Sequence, residues 1–324
     1  MRLVFRADAS RVIGSGHVMR ISVLAEEAIS RGHSCVFIGR INDLGWVYHR
    51  IRKLDFEARF EDFEEFENNP ADDVLILDSY SIPRSSVYID PSKWKLIATI
   101  VDKSTPSYNS NILIKPSLEK TAEPSSFQKI LSGPDFSLIR KSITKKKFLE
   151  RNFGLQRLII SGGGTDINGF SVHIAQVLNK IKADFQAHFF TNEKTGFPSN
   201  PRFVFHKIGE DFDLVAQDAD IAFTTASTSS LEFIAREIPT GVVCAVENQK
   251  DYYEQLGLQS MAIQIGEFSK ESGWRLDSNK IENLISDIKT RDLLREKMND
   301  LIDLKGPARI ISEIELQFLK SYSE

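Results

Sequence analysis

The chain has 324 residues, 41% hydrophobic and 27% charged, with a formal net charge of -4. This is the composition of an ordinary soluble globular protein, too long for one core, so two domains are expected, and the charge gives no footprint for nucleic acid or an anionic membrane. The start turns charged at once, no apolar run approaches a membrane span, and Cys35 and Cys244 lie in apolar runs without a metal-ligand pattern; a cytoplasmic protein with two buried thiols is expected.

Leu3-Val4-Phe5 reads as a short buried strand, followed by Arg6-Ala-Asp8-Ala-Ser10 and then Gly14-Ser-Gly16-His17. Ile21, Leu24, Ala25 and Ala28 recur at helical spacing, so a helix is expected from His17 to about Ser30, stopped by Arg31-Gly32-His33. Cys35–Ile38 is a second strand, Leu44–Leu54 a helix and Phe56–Phe60 a short strand. The acidic run Glu61–Glu67 carries Phe60, Phe63 and Phe66 at helical spacing and reads as a solvated helix. Val74–Leu77 is a buried strand ending in Asp78-Ser79-Tyr80; Pro83 opens a short helix; Leu96–Val101 and Asn111–Ile114 are strands. Continuous apolar strands alternating with helices argue a parallel sheet covered on both faces.

The rhythm lapses between Pro116 and Arg151, and a linker is expected near Lys141–Asn152. Alternation restarts with the strand Arg157–Ile160, the glycine loop Ser161-Gly-Gly-Gly164-Thr165-Asp166 and a helix over Gly169–Ile181. Phe185–Phe190, Phe203–His206 and Ile221–Phe223 are strands; the last leads through Thr224–Ser230 into a helix over Leu231–Arg236. Pro239–Val246 is a strand closed by Glu247-Asn248-Gln249, where another helix begins, and the tail from Lys280 is helical, broken at Gly306-Pro307. Each half therefore begins strand, glycine loop, helix. Ligands of such sheets bind at the carboxyl ends of strands, and a cleft between the halves is the expected place.

Gly14 and Gly16 allow close backbone approach, a helix start offers N–H groups to an anion, and a histidine there is suited to accept a proton. A plain strand–loop–helix turn with an incidental histidine serves the same residues equally well. Gly162–Gly164 can cradle a phosphate or simply form a tight turn; the spacing is neither that of a nucleoside-triphosphatase loop nor that of a dinucleotide site. Thr224–Ser230 holds more hydroxyls than an N-cap uses, which fits hydrogen bonds to a diphosphate, and Glu232 fits either a capping box or ribose hydroxyls. Asp211-Phe-Asp213 and Asp218-Ala-Asp220 have the acidic spacing of metal-dependent glycosyltransferases but read as surface. His33, His49, His173, His188 and His206 share no spacing and read as packing or surface residues.

The opening Arg6-x-Asp8-Ala-Ser10, with Ile13-Gly14-x-Gly16-His17-x-x-Arg20, resembles that of the UDP-2,4-diacetamido-2,4,6-trideoxy-β-L-altropyranose hydrolases (PseG) of pseudaminic acid biosynthesis. The likeness continues through Gly133–Arg140, Ser161–Asp166, Ser227–Glu232 and Asn248-Gln249, in looser form shared with GT-B glycosyltransferases. It implies an α/β protein of two Rossmann-like domains facing across a cleft: 1–142 with the sugar and water site, and 153–324 with the UDP site and C-terminal helices. It implies an inverting UDP-sugar hydrolase in which His17 activates water, Asp8 orients His17 or the water, and Tyr80 lies near the sugar. Gly14, Gly16, Gly163, Gly164, Ser229, Ser230, Glu232, Asn248 and Gln249 would bind substrate, without metal or cofactor, and other enzymes of the sugar pathway would be partners. Arg20 reads as a helix-surface residue. The chain departs from the family pattern at Asp102-Lys103-Ser104, at Lys115 and at Leu231; the first two leave the sugar open. A glycosyltransferase using a sugar acceptor, or a non-catalytic nucleotide-sugar-binding subunit, are the other readings of the same fold.

Overall fold

The computed structural model describes residues 1–60, 66–102, 108–119, 129–144, 155–209, 211–299 and 301–322. It divides into two compact units, Met1–Ile139 joined by Leu304–Glu324, and Arg140–Asp303.

The first unit is a seven-stranded parallel sheet of β1 (Arg2–Ala7), β2 (Ser34–Ile38), β3 (Glu57–Arg59), β4 (Asp73–Asp78), β5 (Leu96–Ile100), β6 (Ile112–Lys115) and β7 (Lys129–Ser132), in the order β3-β2-β1-β4-β5-β6-β7. Alternate side chains of the central strands go to opposite faces. Leu3, Phe5, Val74 and Ile76 join a core made with α1 (Gly16–Ser30) and α2 (Gly45–Arg52), while Val4, Leu75 and Leu77 meet Phe66, Ile82, Ile89, Trp94 and Tyr108. Both faces are thus apolar, which is why these strands read as unbroken hydrophobic runs.

Several expectations shift here. α1 begins at Gly16, one residue before His17. No helix forms at Pro83; a turn leads to two short 3-10 turns, Val87–Ile89 and Pro91–Lys93. β7 follows β6 although Asn111–Ile114 reads as the last strand; its sequence Lys-Ile-Leu-Ser is short, half polar and only partly buried, so it carries little strand signal. Glu61–Glu65 and most of the expected linker lie outside the described residues.

The tail helix α9 (Gly306–Lys320) belongs to the first unit, not to the second domain in which the sequence places it. Ile310, Ile311 and Ile314 are fully buried in the α1 core, each contributing roughly 1.5–3 kcal/mol. Arg31 bonds Glu315, Ser312 and the Ala308 carbonyl, and His33 Nε2 meets Glu315 at 2.8 Å. Gly306 sits so close that a Cβ there would lie 2.2 Å from the Ser137 carbonyl oxygen.

The second unit has β8 (Gln156–Ser161), β9 (Phe185–Phe190), β10 (Phe203–His206), β11 (Ile221–Thr225), β12 (Thr240–Cys244), β13 (Ile263–Ser269) and β14 (Gly273–Leu276), in the order β10-β9-β8-β11-β12-β13-β14, with β14 alone antiparallel. Its helices are α3 (Phe170–Leu178), α4 (Phe212–Asp218), α5 (Thr228–Ala235), α6 (Lys250–Leu258), α7 (Ser278–Ser286) and α8 (Ile288–Met298). The β13–β14 hairpin carries mixed polar residues and is not legible as strands. Asp287 adds a break in the helical tail by accepting the Lys289 and Thr290 N–H groups.

In both sheets the strand order reverses at the same place, between β1 and β4 and between β8 and β11. In open α/β sheets such a switch point at the carboxyl ends of the strands is where ligands bind.

Candidate active site

In the first unit His17 lies on α1 just beyond β1, and Asp78 closes the neighbouring β4. Both are buried, His17 being 5% exposed. His17 Nδ1 is 2.5 Å from Asp78 Oδ1. Arg20, one helical turn further on, donates from Nε to Asp78 Oδ2 at 2.7 Å and from Nη2 to Oδ1 at 2.7 Å. Its Nη2 is also 3.2 Å from His17 Nδ1. Tyr80 sets its ring edge-on to the imidazole, centroids 4.3 Å apart at 83°, and donates its hydroxyl to Asp102, just past β5. Arg20 Nη1 is 3.8 Å from the same Asp102 carboxylate.

The charges follow from this packing. Burial opposes ionisation of Asp78, but the Arg20 guanidinium and His17 outweigh it and hold the carboxyl below the ordinary aspartate range. Burial likewise opposes charge on Arg20, and the charge and hydrogen bonds of Asp78 overcome it, keeping the guanidinium firmly protonated. Burial pushes the Tyr80 phenol up to about 12, against the pull of Arg20 and with help from its bond to Asp102. Asp78 fixes the imidazole through Nδ1, and no hydrogen bond among the described residues engages Nε2. The ring is therefore held in one orientation by its Nδ1 contacts.

Asp8 does not orient His17. It stands two residues after Arg6, on the same side of the chain, and pairs with that guanidinium through two bonds of 2.6 and 2.8 Å while accepting the Arg40 N–H at 2.9 Å. The carboxylate on His17 is Asp78, which the sequence presents only as the end of a strand; a carboxylate at the carboxyl end of a central strand was the available signal. Arg20 is likewise not a helix-surface residue but the clamp on Asp78. Gly14 takes φ +85° and donates to the Ser10 carbonyl in a tight turn, whereas Gly16 has space for a Cβ and no positive φ. Lys115 ends β6, and Lys103 lies outside the described residues.

In the second unit the loops after β8, β11 and β12 lie side by side, because those strands are neighbours. Gly163 takes φ +79° and donates to Ser161 Oγ at 3.3 Å; Thr225 Oγ1 would be 3.6 Å from a Cβ placed there. Gly162 is fixed by close approach, since its Cβ would fall 2.0 Å from Asp166 Oδ1. Asp166 in turn accepts the Ser171 N–H and hydroxyl, anchoring α3. Gly164 is half-buried beside them.

The hydroxyl run divides into structural and available members. Thr224 donates to the Ser161 carbonyl at 2.8 Å, tying β11 to β8, and buried Ser230 donates to the Ser227 carbonyl at 2.7 Å. Ser230 is thus spent on the start of α5 and does not offer its hydroxyl to a ligand. Thr228 and Ser229 are half-buried, and their hydroxyls make no hydrogen bond among the described residues. Asn248 is exposed after β12, while Gln249 Oε1 accepts the Ala245 N–H at 2.9 Å.

Glu232 lies in the second turn of α5, not the first, because the helix starts at Thr228. Arg140 donates to both its oxygens, at 2.7 and 2.8 Å, and to both oxygens of Asp213, at 2.9 and 3.0 Å. Arg236 adds a 2.6 Å bond to Asp213. Burial alone would raise the Asp213 carboxyl; the two guanidinium groups, Arg140 foremost, bring it below its ordinary value. Asp213 is therefore a half-buried member of an ion cluster rather than a plain surface residue, while Asp218 pairs with Arg157. Among the described residues no group of three or more His, Cys, Asp or Glu could hold a metal ion, and no helix is long and apolar enough to cross a membrane. Cys35 and Cys244 are buried and unpaired, burial pushing their thiols up to about 12 and about 11.

No protein-family model and no curated protein matches the sequence. Solved structures do match. A glycotransferase of kitacinnamycin has a TM-score of 0.65 at 11% identity, covering 98% of each chain. The calicheamicin glycosyltransferase CalG4 has 0.63 at 13%, with 98% of each chain covered, and MurG of Acinetobacter baumannii 0.60 at 11%, covering 97% of this chain and 99% of that one. The fold is GT-B. A GT-B likeness at this identity is one of architecture: two parallel-dominated sheets with helices over the whole chain, as the alternating strands foretold.

Proposed function

We propose that the protein breaks the bond between the anomeric carbon of a UDP-linked sugar and its diphosphate, with His17 taking the proton of the attacking hydroxyl. The observation that carries this is the buried His17–Asp78 contact of 2.5 Å, which orients the ring through Nδ1 and leaves Nε2 as the acceptor. A single displacement by a deprotonated hydroxyl, with diphosphate leaving from the opposite side, inverts the anomeric configuration. The second unit would hold UDP through the loop shaped by Gly163, with the Gly164 backbone N–H, the start of α5 with Ser229, and Asn248. Two nucleophiles fit. Water is favoured by the opening segment, whose resemblance points to a 2,4-diacetamido-2,4,6-trideoxy sugar and nonulosonic acid biosynthesis. An acceptor hydroxyl is favoured by solved structures of the same fold that are named as sugar transferases, the kitacinnamycin glycotransferase and the calicheamicin glycosyltransferase among them.

Incubating the protein with a panel of UDP-sugars, with and without sugar and aglycone acceptors, and following UDP release tests both. Release without acceptor assigns water; release only with acceptor assigns transfer. His17→Asn should bind UDP normally and turn over more slowly by on the order of 10²–10⁴, the usual contribution of a positioned base. Unchanged turnover in that variant would remove His17 from the reaction.

A further inference from the structure

We infer that Arg20 is a positioning residue that keeps His17 available as a base by taking up the charge of Asp78. This rests on the reading of His17 as the base. A buried carboxylate 2.5 Å from an imidazole, with no other cation at hand, draws a second proton onto the ring and settles as an ion pair. An imidazolium has no lone pair and cannot accept the proton of a nucleophile.

Arg20 changes that balance through contacts seen directly. Its Nε and Nη2 each bond one Asp78 oxygen at 2.7 Å, so the carboxylate already has a full counter-charge in the two-pronged geometry that suits a guanidinium. The Nη2 group also lies 3.2 Å from His17 Nδ1, where it opposes a second positive charge on the ring. Asp78 Oδ1 then accepts the Nδ1 proton of a neutral ring, which leaves the Nε2 lone pair outward. The spacing of three residues along α1 puts Arg20 and His17 on one helix face, so both reach the same strand end.

The other groups on this cluster do not undo the argument. Tyr80 meets the imidazole with its ring edge and gives its hydroxyl to Asp102. Asp102 is more exposed than Asp78 and lies 3.8 Å from Arg20 Nη1, so its charge falls on the tyrosine and arginine side of the cluster. The groups within hydrogen-bond reach of His17 are one anion and one cation.

The test is a pair of variants and two readouts. In Arg20→Ala, turnover of the best UDP-sugar should fall by roughly 10- to 1,000-fold at acid pH, the span one adjacent charge commands in a protonation equilibrium, and the deficit should shrink as pH rises. Arg20→Lys, which keeps the charge but not the fork, should fall between Arg20→Ala and the native protein. Nitrogen NMR of the ¹⁵N-histidine-labelled protein without substrate, with His17 assigned by its loss in His17→Asn, gives the second readout. At one and the same pH the doubly protonated fraction of the ring should be larger in Arg20→Ala than in the native protein, whose neutral form should carry its proton on Nδ1. An activity loss equal at every pH, or a His17 spectrum unaltered by Arg20→Ala, overturns the inference. Should Arg20→Ala not fold, the same spectrum on Arg20→Lys and Arg20→Gln decides it. If instead His17→Asn retains full turnover while the spectrum changes as expected, the base assignment fails and the charge relation between Arg20 and Asp78 stands.

Discussion

Asp78 offers the sharpest test of how the first unit is held together. It is fully buried, receives two bonds from Arg20 and touches His17. Asp78→Asn keeps the shape and removes the charge, leaving a buried guanidinium without its partner. Breaking a buried pair from one side costs about 3–5 kcal/mol. Asp102, 3.8 Å from the same guanidinium, compensates in part, which favours the lower end. A loss of about 3 kcal/mol in a unit of this size lowers Tm by about 6–12 °C. Denaturant unfolding can be followed through Trp46 and Trp94, which belong to the first unit, in a Trp274→Phe background that silences the second. The pH dependence supplies a sign. The folded carboxyl sits below its unfolded value, so its stabilising contribution is complete above the ordinary aspartate range and disappears as pH falls through the folded value. The native and Asn curves should therefore differ at neutral pH and converge in acid. Removing both charges, as Asp78→Asn with Arg20→Gln, should recover much of the loss. A single Asn variant within about 1 kcal/mol of the native protein, the worth of an exposed ion pair, would refute the buried-pair reasoning.

Three further outcomes are expected. Arg140→Ala should cost the second unit about 3–5 kcal/mol, read through Trp274 fluorescence, because Glu232 and Asp213 lose their shared partner; Arg140→Lys should recover only part, since a point charge cannot serve both carboxylates. Gly16→Ala should stabilise the first unit by about 0.4–1 kcal/mol by reducing the freedom of the unfolded chain, whereas Gly162→Ala should destabilise the second unit and weaken UDP binding, because its Cβ would meet Asp166 Oδ1 at 2.0 Å. UDP should bind equally well in excess chelator by calorimetry; loss of binding there would mean that a metal ion takes part.

How much of this was legible in the sequence varied with the range of the interaction. Unbroken apolar runs such as Val74–Leu77 and Phe185–Phe190 announced buried parallel strands, because a strand covered on both faces must be apolar at every position. The turn at Gly14 and the loop at Gly163 were readable because a positive φ or a close approach demands glycine locally. β7 and the β13–β14 hairpin were not, since edge strands are short, half exposed and carried by their neighbours. Nor could the tail announce its destination: an amphipathic helix shows that it has an apolar face, not which core receives it, and α9 finds its partner in α1 some 280 residues away.

The candidate site divides in the same way. His17 was marked by its own neighbours, a glycine turn and a helix start. Its orienting carboxylate was not: the sequence pointed to Asp8, and only the pairing of β1 with β4 brings Asp78 to the ring while Arg6 retains Asp8. Arg20 looked like a helix-surface residue until β4 placed a buried carboxylate against it, and Glu232 and Ser230 looked like ligand groups until folding spent them on Arg140 and on the start of α5. The sequence alone settles what each residue can do, because side-chain chemistry and local backbone preference are properties of the chain. For Asp78, Arg20 and Glu232, which of those capacities is used internally is decided by contacts across 58 to 92 residues, and such long-range proximity is created only when the chain folds.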